Sequence, residues 1–292
     1  MSAPALITSE RIRVAGLQLH HTRGGRGRAL LLIHGLGSAG DLEWRFNLED
    51  LARDHQVYAP DLPGFGRSDK PPLRYGVPYF TRVLEQYMDR LGVGSADVVG
   101  ASLGGRIAIE LALGHPSRVD RLVLVDALGL GRPRLRLFYP LVMVPRLGEA
   151  VMDLVRAGTR RAPPPIVRRA FSRQAGRAGS EAARLLDDRF LAALRQMHQE
   201  PGFRAAYLAT LRSLARPGTA LDGPALVDGL ARWGKPVMLV WGAADPLFPV
   251  EHARSAHLAI PGSRLEVIEG AGHTPQAERP AEFNRRVREF VA

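Results

Sequence analysis

The feature that most constrains this chain is a series of short, mostly apolar runs, each halted by a glycine or another loop-forming residue. Ala29-Leu30-Leu31-Leu32-Ile33 is the purest, and it stops at His34-Gly35-Leu36-Gly37. A strand without apolar–polar alternation is buried on both faces, the situation of a central strand in a parallel sheet covered on both sides. Gln56-Val57-Tyr58-Ala59, Ala96-Asp97-Val98-Val99, Arg121-Leu122-Val123-Leu124-Val125, Pro236-Val237-Met238-Leu239-Val240-Trp241 and Leu265-Glu266-Val267-Ile268 repeat the signal. Segments of helical character separate them: 41–53, 79–91, 103–113, 250–260 and 281–291. Strand–helix alternation predicts an α/β fold with a mainly parallel, doubly wound sheet. Ahead of it, 11–14 and 17–20 predict a hairpin turning at Ala15-Gly16.

The alternation is interrupted once. Residues 132–228 contain helical stretches, such as 181–197 and 203–214, but no convincing strand, and Pro163-Pro164-Pro165 divides them into short helices. The expected organisation is a core of residues 1–131 and 229–292 with a helical insertion at 132–228. Such an insertion belongs over the carboxyl edge of the sheet, where folds of this class bind ligands.

Composition removes several chemistries. The chain has no cysteine, which excludes disulfides, thiolate nucleophiles and Cys-ligated metal sites. No histidine and carboxylate share a helix at metal-ligand spacing, so no metal is expected. The glycines of 35–40 lack the Lys-Ser/Thr of a phosphate loop and the spacing of a dinucleotide fingerprint, so no cofactor is expected either.

The formal net charge of +11 concentrates in the insertion, where seventeen arginines stand against eight acidic residues. No aromatic-interleaved basic motif accompanies them, and nucleic acid is not an expected partner. Solvated helix faces account for the charge; a weak attraction to a membrane surface or to an acidic substrate is the alternative. The N-terminal residues resemble no signal peptide and no run approaches the roughly 20 apolar residues of a membrane span, so a cytoplasmic location is the expectation. Oligomeric state is not legible.

Chemistry enters at Gly100-Ala101-Ser102-Leu103-Gly104, a G-x-S-x-G pattern that begins where a strand ends and opens a helix. This strand–turn–helix setting forces a serine onto a sharp turn with its hydroxyl exposed. A serine hydroxyl needs a base to take its proton and a third group to orient that base. Gly242-Ala243-Ala244-Asp245 and Gly270-Ala271-Gly272-His273 each follow a strand, in the chain order Ser, Asp, His. Asp126, which follows the strand after the serine, is the rival to Asp245 as orienting acid. The backbone amides of Leu36 and Leu103 are the expected pair of oxyanion donors. His34 is read as holding its loop.

Together these residues resemble the α/β-hydrolase superfamily, in its branch with a helical cap. The resemblance rests on His34-Gly35-Leu36-Gly37, Asp61-Leu62-Pro63-Gly64-Phe65-Gly66-Arg67-Ser68, residues 100–104, Asp245 and Gly272-His273. It implies a catalytic triad of Ser102, Asp245 and His273 acting through an acyl-enzyme on a small, largely apolar ester or related carbonyl compound. Serine at the elbow argues against the dehalogenases and epoxide hydrolases of this superfamily, which use aspartate there. Carbon–carbon bond hydrolysis of a dienoate-type ketone, thioester cleavage and acyl transfer remain alternatives, with a non-catalytic ligand sensor behind them. Leu137, Phe138, Leu141, Met143 and Leu147 are the expected pocket residues from the cap.

Overall fold

The computed structural model describes residues 6–134, 138–161, 187–215 and 223–292. Eight strands build one sheet: β1 (Ile7–Val14), β2 (Leu17–Gly24), β3 (Arg28–Ile33), β4 (His55–Pro60), β5 (Ala96–Ala101), β6 (Val119–Val125), β7 (Val237–Gly242) and β8 (Arg264–Ile268). Their order is β1-β2-β4-β3-β5-β6-β7-β8. β2 runs antiparallel to both neighbours, and every pair from β4 to β8 is parallel. The predicted hairpin turns at Ala15 and Gly16, both with positive φ (52° and 80°), as a two-residue turn between twisted strands requires. From β3 the chain steps to β4 on one side and then crosses to β5 on the other. The carboxyl ends of β3 and β5 therefore flank the reversal point, where open α/β sheets leave a crevice.

The uniform apolar runs follow from two cores. Leu31 and Ile33 of β3 join one cluster with Val98, Leu122, Leu124 and Leu239; Leu30 and Leu32 join the other with Val57, Val99, Val123, Val125 and Val240. The first face is covered by α3 (Val77–Arg90), α4 (Leu103–Gly114), α9 (Gly223–Trp233) and α10 (Glu251–Ala259), and the second by α2 (Leu48–Leu51) and α12 (Pro280–Val291). Each fully buried leucine or valine contributes about 1.5–3 kcal/mol, so both faces of the sheet carry the stability.

One helix predicted across 41–53 is two single turns instead, α1 (Gly40–Glu43) and α2. The break lets Trp44 sink fully beside Phe283, ring centroids 6.2 Å apart, and frees Asn47 for tertiary use. Asn47 Nδ2 donates to Gln276 O (2.9 Å) and Asn284 Oδ1 (2.7 Å).

Between β6 and β7 the described residues include five helices: α5 (Phe138–Met143), α6 (Leu147–Arg161), α7 (Asp188–Gln199), α8 (Phe203–Leu214) and α9. Of the predicted stretch 181–197, residues 181–186 lie outside the described residues. α8 packs against α5, α6, α7 and, in the body, α3. Its Phe203 meets Phe65 edge-on (6.2 Å), and Ala206 sits so close to Gly64 that a Cβ there would approach it to 2.6 Å. α9 packs instead on α4 and α10. The inserted segment leaves and rejoins the body at one place, because Gly223 abuts the backbone of Leu130 and Gly131. No described helix is long and apolar enough to cross a membrane.

Candidate active site

Ser102 lies between β5 and α4 with φ 53° and ψ −114°, a conformation costly for any residue with a Cβ. Its neighbours explain why the pattern must be glycine-rich. A Cβ on Gly100 would come within 2.4 Å of Gly104 O, one on Gly104 within 2.2 Å of Ile33 O, and one on Gly105 within 2.5 Å of Ala127 Cβ. The turn is held from the neighbouring strand: Ser102 N–H donates to Val125 O (2.9 Å) and Leu128 N–H donates to Ser102 O (3.0 Å).

The loops after β7 and β8 are pressed together, and a Cβ on Gly242 would lie 1.9 Å from Gly272 O. Ala243 N–H and Ala244 N–H donate across to Ile268 O (3.1 Å) and Ala271 O (2.9 Å). This clamp brings His273 Nδ1 to 2.8 Å from Asp245 Oδ2, with the aspartate side chain fully buried. Asp245 Oδ1 accepts from Leu247 N–H (2.7 Å) and Phe248 N–H (3.1 Å). Burial pushes the Asp245 carboxyl up, but the His273 ring and these two amides outweigh it, and its pKa falls below the ordinary value. A carboxylate on Nδ1 fixes the ring tautomer with Nδ1 protonated and leaves Nε2 as the basic atom. Phe248 packs on the imidazole with centroids 5.2 Å apart.

Two buried carboxylates without an assigned role hold the loops on either side. Glu278, in α11 (Pro275–Glu278), accepts from Gly272 N–H (3.0 Å) and from Thr274 N–H and Oγ1 (both 3.1 Å), bracketing His273. Asp61 accepts from Gly40 N–H (2.7 Å) and Arg67 N–H (2.8 Å) and pairs with His20 Nδ1 (3.0 Å). Burial pushes the Asp61 carboxyl up, yet these donors hold its pKa below the ordinary value. The available signals were Asp61 directly after β4 and Glu278 in the first turn following Thr274-Pro275.

His34 behaves as a loop holder. Its Nε2 accepts from Leu62 N–H (2.9 Å) while Nδ1 donates to Gly35 O (2.8 Å), and complete burial lowers its pKa. The register of β3 on β5 sets Ile33 beside Gly100, so Gly35 arrives next to Ser102, where a Cβ would be 3.4 Å from Ser102 Cβ. Leu36 follows on this loop, partly buried, and Leu103 is the first residue of α4, whose leading N–H groups have no acceptor within the helix. Tyr207 of α8 stands 3.1 Å from a Cβ position on Gly37, so the inserted helices reach this crevice.

Asp126 sits beside Asp245. One ligand atom from each of Asp126, Asp245 and His273 lies within 4.8 Å of the others, the one group of this kind found among the described residues. As a metal set it is already committed, since His273 Nδ1 and both Asp245 oxygens are hydrogen-bonded. Of the predicted pocket residues, Leu137 and the side chain of Phe138 lie outside the described residues. Leu141 and Leu147 are 40% and 42% exposed, Met143 is partly buried, and Val142 is fully buried.

A family model described as "Alpha/beta hydrolase family" matches residues 30–286. An uncharacterized protein of Mycobacterium tuberculosis is 34% identical over 276 residues, covering 91% of this chain and 76% of that protein. The 2-hydroxymuconate semialdehyde hydrolase of Pseudomonas sp. strain CF600 is 28% identical over 285 residues, covering 96% of this chain and 93% of its own. Among solved structures, a serine hydrolase involved in carbazole degradation (CarC) superposes with a TM-score of 0.79 at 23% identity, covering 98% of this chain and 99% of that one.

Proposed function

Since the chain belongs to the alpha/beta hydrolase family, we propose that it is a serine hydrolase that cleaves a small, largely apolar carbonyl substrate through an acyl-enzyme, with an ester as the first candidate. The observation that carries this reading is the pairing of a strained serine elbow with a histidine whose Nδ1 is tied to a buried carboxylate at the same sheet edge. His273 Nε2 takes the Ser102 proton as Oγ attacks the carbonyl carbon, and Asp245 stabilises the imidazolium that forms. The tetrahedral oxyanion is met by the amides of Leu36 and Leu103. His273 returns its proton to the leaving alcohol; water, deprotonated by the same nitrogen, then releases the acid.

Residues 132–228 act as a cap in this reading, with Phe203, Ala206 and Tyr207 of α8 resting on Phe65, Gly64 and Gly37 of the body. A second reading is hydrolysis of a carbon–carbon bond in a dienoate-type ketone, favoured by the 28% identity with the semialdehyde hydrolase over nearly its full length. The test is one panel of p-nitrophenyl esters and dienoate ketones against wild type and Ser102→Ala, with fluorophosphonate labelling of both. Ester turnover that survives in Ser102→Ala ends the proposal; turnover confined to the ketones selects the second reading.

A further inference from the structure

The carboxyl of Asp126 takes no part in the chemistry above, yet its setting is unusual. Its backbone has φ 39°, and the register of β5 on β6 pairs Ala101 with Val125, so two strained non-glycine residues, Ser102 and Asp126, stand side by side at neighbouring strand ends. The side chain is 1% exposed. Oδ1 accepts one hydrogen bond, from Gly242 N–H at 3.1 Å, while Oδ2 is buried with no hydrogen-bond partner. The titratable groups facing it are Asp245 and His273, within the 4.8 Å cluster, and Glu278 on α11; His252 of α10 and Arg134 act on one another farther round Asp245. No cation lies against it within that cluster.

Two buried carboxylates this close cannot both be ionised. The proton goes to the one whose anion is less stabilised. Asp245 has two backbone donors and the imidazole N–H; Asp126 has one backbone donor. We propose that Asp126 is a positioning residue kept as a neutral carboxylic acid, whose Oδ2–H donates to the Asp245 carboxylate and so fixes the acid that orients His273. Burial first, then the Asp245 charge, pushes the Asp126 carboxyl well above its ordinary range, consistent with that assignment. The role in orientation rests on the triad reading of Ser102, Asp245 and His273; the protonation state does not.

The experiment separates the two. Infrared spectra of wild type minus Asp126→Asn at neutral pH are expected to contain the C=O stretch of a protonated carboxylic acid. Asp126→Asn keeps a donor and an acceptor in the same shape, so it retains most of the ester or ketone turnover. Asp126→Ala loses about ten- to hundredfold in kcat/KM, the loss of one hydrogen bond to a charged group, and its acid limb moves upward because Asp245 becomes more basic towards His273. Asp126→Ser, a smaller donor, recovers part of that loss should the alanine variant fold poorly. Absence of the protonated-acid band, or an asparagine variant as damaged as the alanine one, overturns the proposal by requiring an ionised Asp126. An Asp126→Ala profile parallel to wild type, with only a lower melting temperature, reduces Asp126 to packing. Absence of turnover in wild type would instead refute the triad reading and leave the infrared result standing.

Discussion

The loops after β7 and β8 and the helices inserted between β6 and β7 are held by different balances of backbone and side-chain contact. The loops are fixed by backbone: amide–carbonyl bonds between them, and a glycine with no room for a side chain at 1.9 Å from Gly272 O. The helices have close backbone approaches at Gly148 to Val142 O and Gly202 to Lys70 O, but depend largely on side chains. Arg212 grips Glu149 with both ends of its guanidinium (2.7 and 2.9 Å) and also donates to Met143 O (3.1 Å), Arg156 ties to Gln199 (3.0 Å), and Arg204 pairs with Asp153. Backbone clamps give a site the sub-ångström precision that proton transfer demands, whereas side-chain contacts can be exchanged one at a time. The region that the proposed function gives to chemistry is thus held mainly by backbone, and the region it gives to substrate choice more by side chains.

That contrast can be broken most violently at the rim. Ser102→Ala or His273→Ala should lower kcat at least about a thousandfold with the fold intact by circular dichroism, as removal of one member of such a unit does. Gly242→Ala should destabilise the protein by about 3 kcal/mol or more, read from urea midpoints, because backbone and not a flexible side chain blocks the new methyl. The sharpening counterpart is Gly158→Ala in α6, where a Cβ meets nothing within 4 Å; stability there should be unchanged or rise by up to about 1 kcal/mol. Equal losses at the two glycines would erase the distinction.

Acid should act on the body loops before the inserted helices lose their apolar contacts. Asp61 and Asp245 have pKa values held below the ordinary value, so their contribution is complete above that value and is lost as the pH falls through the folded one. Asp126 has the opposite sign: its raised value costs stability as pH rises above the ordinary aspartate range. Thermal melts of wild type and Asp126→Asn should therefore diverge towards neutral pH, the asparagine variant melting higher, and converge in acid. The smallest effect is expected at Arg212→Ala, about 1 kcal/mol or less for a half-exposed pair, with any kinetic change in KM and not in kcat.

The parts legible in the sequence are those whose cause is local. β3, β5, β6 and β7 announce themselves because each is buried on both faces, and Ser102, Asp245 and His273 because each lies in the loop that follows a strand. The holding roles of Asp61 and Glu278 are not legible, because their amide partners converge on them only once the loops are folded: Gly40 and Arg67 for one, Gly272 and Thr274 for the other. The break at Trp44 and Asn47 was invisible for the same reason, since it serves Phe283, Gln276 and Asn284 more than two hundred residues later. Val142, and not its neighbour Leu141, fills the core of the inserted segment, a choice of helical phase that six residues of continuous apolar character cannot encode.

The abutment of Gly223 on Leu130 and Gly131 has a consequence for how such a chain diversifies. A segment whose two ends share one doorway can be lengthened, shortened or traded for another without tugging on the strands it departs from, and a doubling of its length adds only about 0.6 kcal/mol of closure entropy. Recombination or a protein engineer could exchange residues 132–222 as a cassette, provided the replacement restores the contacts that Phe203, Ala206 and Tyr207 make with Phe65, Gly64 and Gly37.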